Sequence, residues 1–303
     1  MVVKELKGII PAMVTLFKSD YSIDEKAIRE HIDFLIEGEV NAILVLGSVG
    51  EFIHLTRDER KRVAEICVDQ ANDKIPIIVG AGSCSTDEVI DLTKHAKDIG
   101  ADYVQLQAPF YFKYSDDVLY EHYKAIAEAV DIPLVIYNYP AAVGLDLSPR
   151  LIAELSKIPN IIGLKDTTTN LAHIQEVLHL TKEINKNFRV FAGSDDMLLP
   201  TLIIGGHGAV TGIGNFYPSL PVSLYKAYLN GDLKTAINLH NKIIELRYAL
   251  MSICKPPPIP VFKQTLKLLG RNVEPVVRRP MLPLKENQIK QLKEILIKFD
   301  ILE

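Results

Sequence analysis

The chain has 303 residues, of which 48% are hydrophobic and 24% are charged, with a formal net charge of −4. This length fits two ordinary domains or one large α/β barrel. The small negative charge provides no basic field for nucleic acid or an anionic membrane, and no apolar run reaches the ~18 residues of a membrane-spanning helix.

The cysteines and the N-terminus predict a cytoplasmic protein. Cys67, Cys84 and Cys254 are far apart and odd in number, which suits a reducing compartment and gives no zinc pattern. Residues 1–7 lack the apolar core of a signal peptide. Histidine and carboxylate residues show no metal-ligand spacing, so we expect neither a metal nor a cofactor.

Eight apolar segments alternate with eight segments of helical periodicity along the first 230 residues. The second helix has the clearest start, because Thr56 and Glu59 form a capping box. The predicted strands cover residues 8–15, 41–46, 75–79, 102–107, 132–137, 161–165, 188–192 and 208–211. The predicted helices follow Asp24, Thr56, Ser85, Asp116, Ser148, Asn170, Gly193 and Pro218.

Eight β–α units with nearly continuous apolar strands predict a parallel sheet, and eight strands are the number that closes a (β/α)8 TIM barrel. We assign residues 1–230 to a barrel catalytic domain and residues 231–303 to a C-terminal extension of three helices. A proline-rich segment at 255–260 separates the first two of these helices. A doubly wound sheet is the competing fold, but it needs a topological switch and usually has fewer strands.

In such a barrel the functional residues lie at the carboxyl ends of the strands. Lys165 ends the sixth strand, where burial favours the neutral amine and lowers the pKa of a lysine. A neutral amine at the mouth of a pocket can attack a ketone and form a Schiff base. The alternative interpretation is a lysine that emerges at the strand end and pairs with Asp166.

The other strand ends provide a phenol, a hydroxyl and glycine-rich turns at the same mouth. The motifs are Gly-Ser-Val-Gly-Glu at 47–51, Tyr-Asn-Tyr-Pro at 137–140, Gly-Leu-Lys-Asp at 163–166 and Gly-Gly-His-Gly at 205–208. In this order and spacing, the chain resembles the pyruvate-dependent class I aldolase family. That family contains dihydrodipicolinate synthase, N-acetylneuraminate lyase and 2-keto-3-deoxygluconate-type aldolases, and the resemblance covers nearly the whole chain.

The resemblance implies that Lys165 forms a Schiff base with pyruvate or another 2-keto acid. It also implies that Tyr137 transfers protons, that Ser48 links this phenol into a relay, and that Tyr111 reaches a neighbouring subunit. The family's assembly is a tetramer made of tight dimers, so we expect a homotetramer.

The resemblance also implies where the substrate binds. The amides of Ser48 and Val49 match the pair that binds the keto acid's carboxylate, and the carbonyl of Val210 matches a further substrate contact. Substrate hydroxyls are expected near Thr167, Ser194 and Asp195, although Asp195 or Asp196 is also suited to cap a helix.

Two departures from the family pattern affect function. Many members have a second hydroxyl residue where this chain has Val49, so a relay must run from Ser48 alone. Dihydrodipicolinate synthases generally have Gly-Arg after the motif proline, whereas this chain has Ala141 and Ala142. An alanine cannot bind a second substrate's carboxylate as a guanidinium does.

The sequence therefore favours a lyase that cleaves a 2-keto-3-deoxy sugar acid to pyruvate and an aldehyde. Dihydrodipicolinate synthase activity is the first alternative and N-acetylneuraminate lyase the second, and a dehydratase would use the same Schiff base. A non-catalytic barrel that senses a keto acid is the alternative from another class. The glycines at 80–82 imitate the start of a dinucleotide motif but lack its last glycine, and His207 is expected in a solvated turn.

Overall fold

The computed structural model describes residues 5–254 and 258–302. Eight parallel strands form one sheet in the order β1-β8-β7-β6-β5-β4-β3-β2. The bounds are β1 Gly8–Pro11, β2 Ile43–Val45, β3 Ile77–Gly80, β4 Tyr103–Gln107, β5 Leu134–Asn138, β6 Ile161–Asp166, β7 Arg189–Ala192 and β8 Gly208–Thr211. The circle closes where Ala12 pairs with Leu44 and the Met13 amide donates to the Leu44 carbonyl at 2.8 Å. The predicted (β/α)8 barrel is confirmed.

Helices alternate with the strands, and short 3-10 turns at Phe52–His54, Asp195–Met197 and Ile213–Asn215 follow β2, β7 and β8. The helices of the barrel are α1 Glu25–Glu37, α2 Arg57–Ala71, α3 Thr86–Asp98, α4 Asp116–Ala129, α5 Pro140–Val143, α6 Pro149–Leu155, α7 Leu171–Thr181, α8 Leu198–Ile203 and α9 Ser219–Leu229. The C-terminal extension contains α10 Leu233–Met251, α11 Ile259–Leu268 and α12 Glu286–Lys298. Residues 255–257 of the predicted proline-rich segment lie outside the described residues.

Side-chain caps set the starts of several helices, among them the one that the sequence predicted at Thr56. Thr56 accepts from the Glu59 amide while the Glu59 carboxylate accepts from the Thr56 amide, so the capping box of α2 is confirmed. Asp24, Ser85 and Ser148 also accept from amides in the first turns of their helices. Each such cap is worth about 1 kcal/mol.

The apolar residues form two layers. A small core inside the barrel contains side chains such as Ile10, Leu44, Phe191 and Val210, which point inward from the strands. A much larger core fills the space between the strands and the surrounding helices. Because every strand is buried on both faces, strand sequences are apolar throughout rather than alternating, which explains the pattern in the sequence.

The C-terminal extension packs on the barrel and shares its outer core. Leu250, Leu266 and Leu292 of the three helices belong to the same buried cluster as the barrel residues. The extension is therefore continuous with the barrel in packing. It also reaches the mouth of the barrel, where it contacts the turns that follow β2 and β8.

Three details differ from the sequence predictions. The first two strands are shorter than predicted, because the chain turns away from the sheet after Pro11 and after Val45. A four-residue helix, α5, follows β5 and was not predicted. The expected solvation of His207 is wrong: its Nδ1 accepts from the Val190 amide at 3.1 Å and its Nε2 lies 3.2 Å from the Arg189 guanidinium.

Candidate active site

Strands β5 and β6 place the candidate nucleophile beside the candidate acid. Their register pairs Tyr137 with Lys165, and the Lys165 Nζ lies 3.9 Å from the centroid of the Tyr137 ring. Lys165 is only 4% exposed. Burial lowers its pKa to about 7, although the Asp195 carboxylate acts in the opposite direction. A large share of the amine is therefore neutral near pH 7 and able to attack a carbonyl.

The neighbouring carboxylate does not neutralise this lysine. Asp166 instead accepts from the Thr168 amide at 2.9 Å and from Asn138 Nδ2 at 3.3 Å, and it lies 2.9 Å from His173 Nδ1. Burial lowers the pKa of His173, but the Asp166 carboxylate, together with the Leu147 carbonyl and Asp146, raises it more, so the net shift is upward. The alternative interpretation, a Lys165–Asp166 ion pair, is wrong within the described part of the chain.

Tyr137 lies at the centre of a group of hydroxyls. The phenol is buried, and burial raises its pKa, while the nearby Thr167 and Ser48 hydroxyls lower it. Tyr139 stacks on the Tyr137 ring with the centroids 5.7 Å apart. The phenol is consequently protonated at neutral pH, and two hydroxyls near it are candidates for proton exchange.

The turn after β2 presents free backbone amides. Neither the Ser48 nor the Val49 amide donates a hydrogen bond to a described residue. The turn is flanked by two non-glycine residues with left-handed backbones, Leu46 at φ 56° and Glu51 at φ 58°. Successive free amides in such a turn form an anion-binding concavity. The Val49 side chain packs against both apolar cores and offers no proton-transfer group.

The ends of β7 and β8 are bound to each other. The buried Asp195 carboxylate accepts from the amides of Gly212 at 3.1 Å and Ile213 at 3.2 Å. Burial raises its pKa to about 6, and these amides counteract the rise. Asp195 therefore caps the turn after β8 rather than its own turn. Ser194 donates to Asp196, and the Val210 side chain points into the barrel.

Thr167 occupies a tight space between the ends of β6 and β7. A Cβ atom added at Gly193 would lie 1.9 Å from the Thr167 Oγ1, so only glycine fits there. The Thr167 amide donates to the Asn138 carbonyl at 2.9 Å, which holds the residue next to the end of β5. This placement puts Thr167 beside the end of the strand that carries Tyr137, although the Thr167 Oγ1 has no hydrogen-bond partner among the described residues.

Tyr111 is not gathered into this group. It is 87% exposed in the loop after β4, has a strained φ of 93°, and meets the Phe112 ring edge-on with the centroids 4.9 Å apart. Phe112 is also exposed, at 62%. Lys165, Tyr137, Ser48 and Thr167 thus lie together within one subunit, whereas Tyr111 projects away from the described chain.

Sequence reasoning missed two supporting residues inside the recognised motifs. Asn138 holds the chain after β5, because its Nδ2 donates to Asp146 at 2.9 Å and its Oδ1 accepts from the Leu147 amide at 3.1 Å. Glu51 is fully buried and pairs with Lys263 of α11. Only the position of each residue inside a motif signalled its importance, since the partners lie outside the motifs, eight and nine positions away for Asn138 and 212 for Glu51.

Across residues 5–254 and 258–302, no three histidine, cysteine or carboxylate side chains gather as metal ligands. The helices in the same part of the chain include none that is long and apolar enough to cross a membrane. The three cysteines are unpaired, and Cys67 is buried.

Comparisons with known proteins identify the family of the chain. The model of the dihydrodipicolinate synthetase family matches residues 5–298. The chain belongs to this family. It is therefore an enzyme of the lyase class, a dihydrodipicolinate synthase-family aldolase.

Individual family members are similar over almost their full length. The chain is 37% identical to YagE of Escherichia coli K12, provisionally named a 2-dehydro-3-deoxy-D-gluconate aldolase, over 95% of both chains. It is 36% identical to the 4-hydroxy-tetrahydrodipicolinate synthase of Methanothrix thermoacetophila over 96% of both. The crystal structure of YagE in complex with pyruvate superposes with a TM-score of 0.95 at 35% identity, covering 98% of this chain and 100% of that one.

Proposed function

We propose that this aldolase cleaves a 2-keto-3-deoxy sugar acid, such as 2-keto-3-deoxygluconate, to pyruvate and an aldehyde through a Schiff base on Lys165. The observation that carries the proposal is the buried Lys165 amine, 3.9 Å from the Tyr137 ring centroid, with its pKa lowered to about 7 by burial. A sensor barrel would not need such a nucleophile. The pyruvate bound to YagE supports the same chemistry.

The proposed reaction begins when the neutral Lys165 amine attacks the ketone carbon of the substrate. Tyr137 protonates the resulting hydroxyl, which leaves as water and gives a protonated imine. The bond between substrate carbons three and four then breaks: its electron pair moves into an enamine, and the departing aldehyde's hydroxyl loses its proton to the phenolate of Tyr137. Protonation of the enamine at carbon three and hydrolysis of the imine release pyruvate and free Lys165.

The free amides of Ser48 and Val49 are proposed to bind the carboxylate of the keto acid. Backbone amides that donate to a carboxylate, typically at roughly 2.7–3.2 Å, form charge-assisted hydrogen bonds, so no cation is needed there. The Ser48 hydroxyl and that of Thr167, which both lower the pKa of Tyr137, are proposed to carry protons to and from the phenol. This relay does not require a hydroxyl at Val49, because Thr167 follows β6, the strand next to that of Tyr137, and offers a second hydroxyl there.

The substrate preference rests on the rim after β5. Ala141 and Ala142 are exposed in α5, which carries no cation to bind a second carboxylate. Hydroxyl and carboxylate groups at Thr167, Ser194 and Asp195 surround the ends of β6 and β7 and suit a polyhydroxylated chain. We further propose that the Val210 carbonyl contacts the substrate from the end of β8.

Dihydrodipicolinate synthase activity is the second candidate, because a relative with that activity in its name is as similar, at 36% identity, as YagE is. This reaction condenses pyruvate with aspartate semialdehyde. The semialdehyde's carboxylate would be left without a guanidinium at Ala142, which costs a few kcal/mol, roughly one lost charged hydrogen bond.

The deciding experiment compares two reactions on one preparation. We expect kcat/KM for pyruvate release from 2-keto-3-deoxygluconate or a close relative to exceed that for pyruvate consumption with aspartate semialdehyde. Ala142→Arg is the companion variant and should weaken sugar-acid cleavage without changing borohydride trapping of pyruvate at Lys165. Faster condensation by the wild-type enzyme would favour the synthase assignment.

We also propose a homotetramer in which Tyr111 enters a neighbour's site. The exposed aromatic pair of Tyr111 and Phe112, and the strained backbone of Tyr111, support a role in contact with a second copy. Sedimentation should show a tetramer, and Tyr111→Phe should lower kcat without dissociating it. A fully active monomer would contradict this assembly.

A further inference from the structure

A buried ion pair links the C-terminal extension to the turn after β2. The side chains of Glu51 and Lys263 are both 0% exposed, and the Lys263 Nζ donates to one carboxylate oxygen of Glu51. The second oxygen accepts from the Arg278 amide at 2.8 Å. Both oxygens of this carboxylate are therefore bound by residues more than two hundred positions away in the sequence.

Glu51 fixes the geometry of the turn that holds Ser48 and Val49. Its amide donates to the Ser48 carbonyl at 3.2 Å, which closes the turn, and its φ of 58° is left-handed. A non-glycine residue keeps such a backbone only where its surroundings hold it. The carboxylate contacts from Lys263 and Arg278 supply that restraint, so the turn's shape depends on the extension.

Lys263 is itself held on several sides. Its Nζ also donates to the Val276 carbonyl at 2.7 Å and lies 4.3 Å from the centroid of the Phe17 ring. Arg278 lies over the same ring at 4.7 Å and pairs with Glu59 of α2. The ammonium therefore has little freedom to move, and Glu51 is held with it.

The preceding residue of α11 supports the opposite side of the mouth. The Phe262 ring lies against Gly212, where an added Cβ atom would be 2.9 Å from the ring, and it packs 5.7 Å from Phe216. Gly212 is one of the amides bound by Asp195. Two successive residues of α11, Phe262 and Lys263, thus contact the loops that follow β8 and β2.

We propose that Lys263 is a positioning residue for the reaction: through Glu51 it sets the orientation of the Ser48 and Val49 amides that bind the keto acid's carboxylate. This inference rests on the proposed function, which assigns those amides to the carboxylate. Lys263 does not touch the reacting atoms. Its effect should fall on ketones that carry a carboxylate and spare ketones that lack one.

The test uses the full-length enzyme and the double variant Glu51→Gln/Lys263→Met. This pair of changes leaves no unpaired charge, and glutamine still offers a carbonyl oxygen to the Arg278 amide. The matched control is Lys267→Met/Glu274→Gln, which removes an exposed ion pair of 3.0 Å that begins one helical turn further along α11. Rates of borohydride inactivation are measured against the concentrations of pyruvate and of hydroxyacetone, which has no carboxylate.

In the double variant we expect the half-saturating pyruvate concentration to rise about tenfold, equivalent to one impaired charge-assisted hydrogen bond. The hydroxyacetone rate should stay at the wild-type value, and the control variant should match wild type with both ketones. An unchanged pyruvate requirement in the double variant would overturn the inference. An equal loss with both ketones would overturn it too, because that result indicates general damage to the site.

Two further measurements distinguish a failure of this inference from a failure of the proposed function. If the double variant does not fold, Glu51→Asp, which keeps the buried charge pair but shortens the side chain that holds the turn, is measured for the same difference between ketones and judged by the same criteria. If pyruvate and borohydride fail to modify Lys165 in the wild-type enzyme, the proposed function falls and this inference falls with it. Wild-type modification without a pyruvate-specific effect in the variants overturns the positioning role alone.

Discussion

Two buried lysines under the same barrel mouth have opposite surroundings. Lys165 is 4% exposed and has no ion-pair partner among the described residues, whereas Lys263 is fully buried against the Glu51 carboxylate. Each lies over an aromatic ring, at 3.9 Å from the Tyr137 centroid and 4.3 Å from that of Phe17. Burial lowers the pKa of both, to about 7 for Lys165 and about 8 for Lys263.

The difference shows what makes a buried lysine a nucleophile. A carboxylate partner holds the ammonium in a fixed place and occupies its protons, so Lys263 serves structure. Without such a partner the amine of Lys165 loses its proton readily and has a free lone pair. Asp166, the carboxylate next to Lys165 in sequence, is turned towards His173 and Thr168 instead. The carboxylate's direction therefore matters more than its proximity in sequence.

Replacement of Lys165 should have the largest effect. Lys165→Met should lower turnover by more than about 10⁴-fold and abolish borohydride trapping, because no imine can form. Peptide mapping of the trapped wild-type enzyme should find one reduced pyruvate on Lys165. An adduct on Lys263 or any other lysine would contradict the assignment of roles to the two residues.

The next largest effect should come from the phenol beside Lys165. Tyr137→Phe should reduce kcat by about 10²–10⁴-fold, as expected for a positioned acid–base group. Ser48→Ala should cost less, because Thr167 also approaches the phenol. Steady-state kinetics measure both variants, with Tyr139→Phe as the control for a change in the stacked ring. Wild-type activity in Tyr137→Phe would exclude the phenol from proton transfer.

The two lysines should also differ in the sign of their effect on stability. Lys263→Met leaves the buried Glu51 carboxylate without its partner, which should lower the free energy of unfolding by about 3–5 kcal/mol. Lys165→Met removes a buried amine without leaving a charge unpaired, so it should raise that free energy. Urea denaturation measures both changes, and destabilisation by both variants would contradict the comparison.

Much of the fold was predictable because it depends on local patterns. Apolar strands, the cap at Thr56 and the alternation of elements are all encoded within short windows of sequence. The short helix α5 was missed because four residues are too few to show helical periodicity. His207 was misassigned because its partners, Val190 and Arg189, lie on another strand.

The candidate site was predictable in its residues but not in its contacts. The strand ends and motifs identified Lys165 and Tyr137, and parallel pairing brought them together. The Glu51–Lys263 pair was not predicted, because a lysine inside an amphipathic helix ordinarily points to solvent. A partner 212 positions away has no local signature, and only tertiary packing reveals it.

The smallest predicted effect is a pH dependence that belongs to Lys165. The pKa of this lysine is about 7 in the folded protein, against ~10.4 for an unfolded chain. Between about pH 7 and pH ~10.4 the unfolded state binds more protons than the folded state, so the free energy of unfolding of the wild type rises with pH in this range. Below about pH 7 Lys165 is charged in both states, and the folded protein bears the full cost of burying that charge. The stabilising effect of Lys165→Met should therefore be largest at pH 6 and about 2–3 kcal/mol smaller at pH 9. Thermal unfolding of both proteins at the two pH values measures this difference, since the other titrating groups are shared and cancel.

The exposed Lys267→Met is the control and should show no such trend. The difference in stability between Lys165→Met and wild type should not stay constant or widen towards pH 9. Either result would show that Lys165 does not bear the cost of burial on which its role as a nucleophile depends.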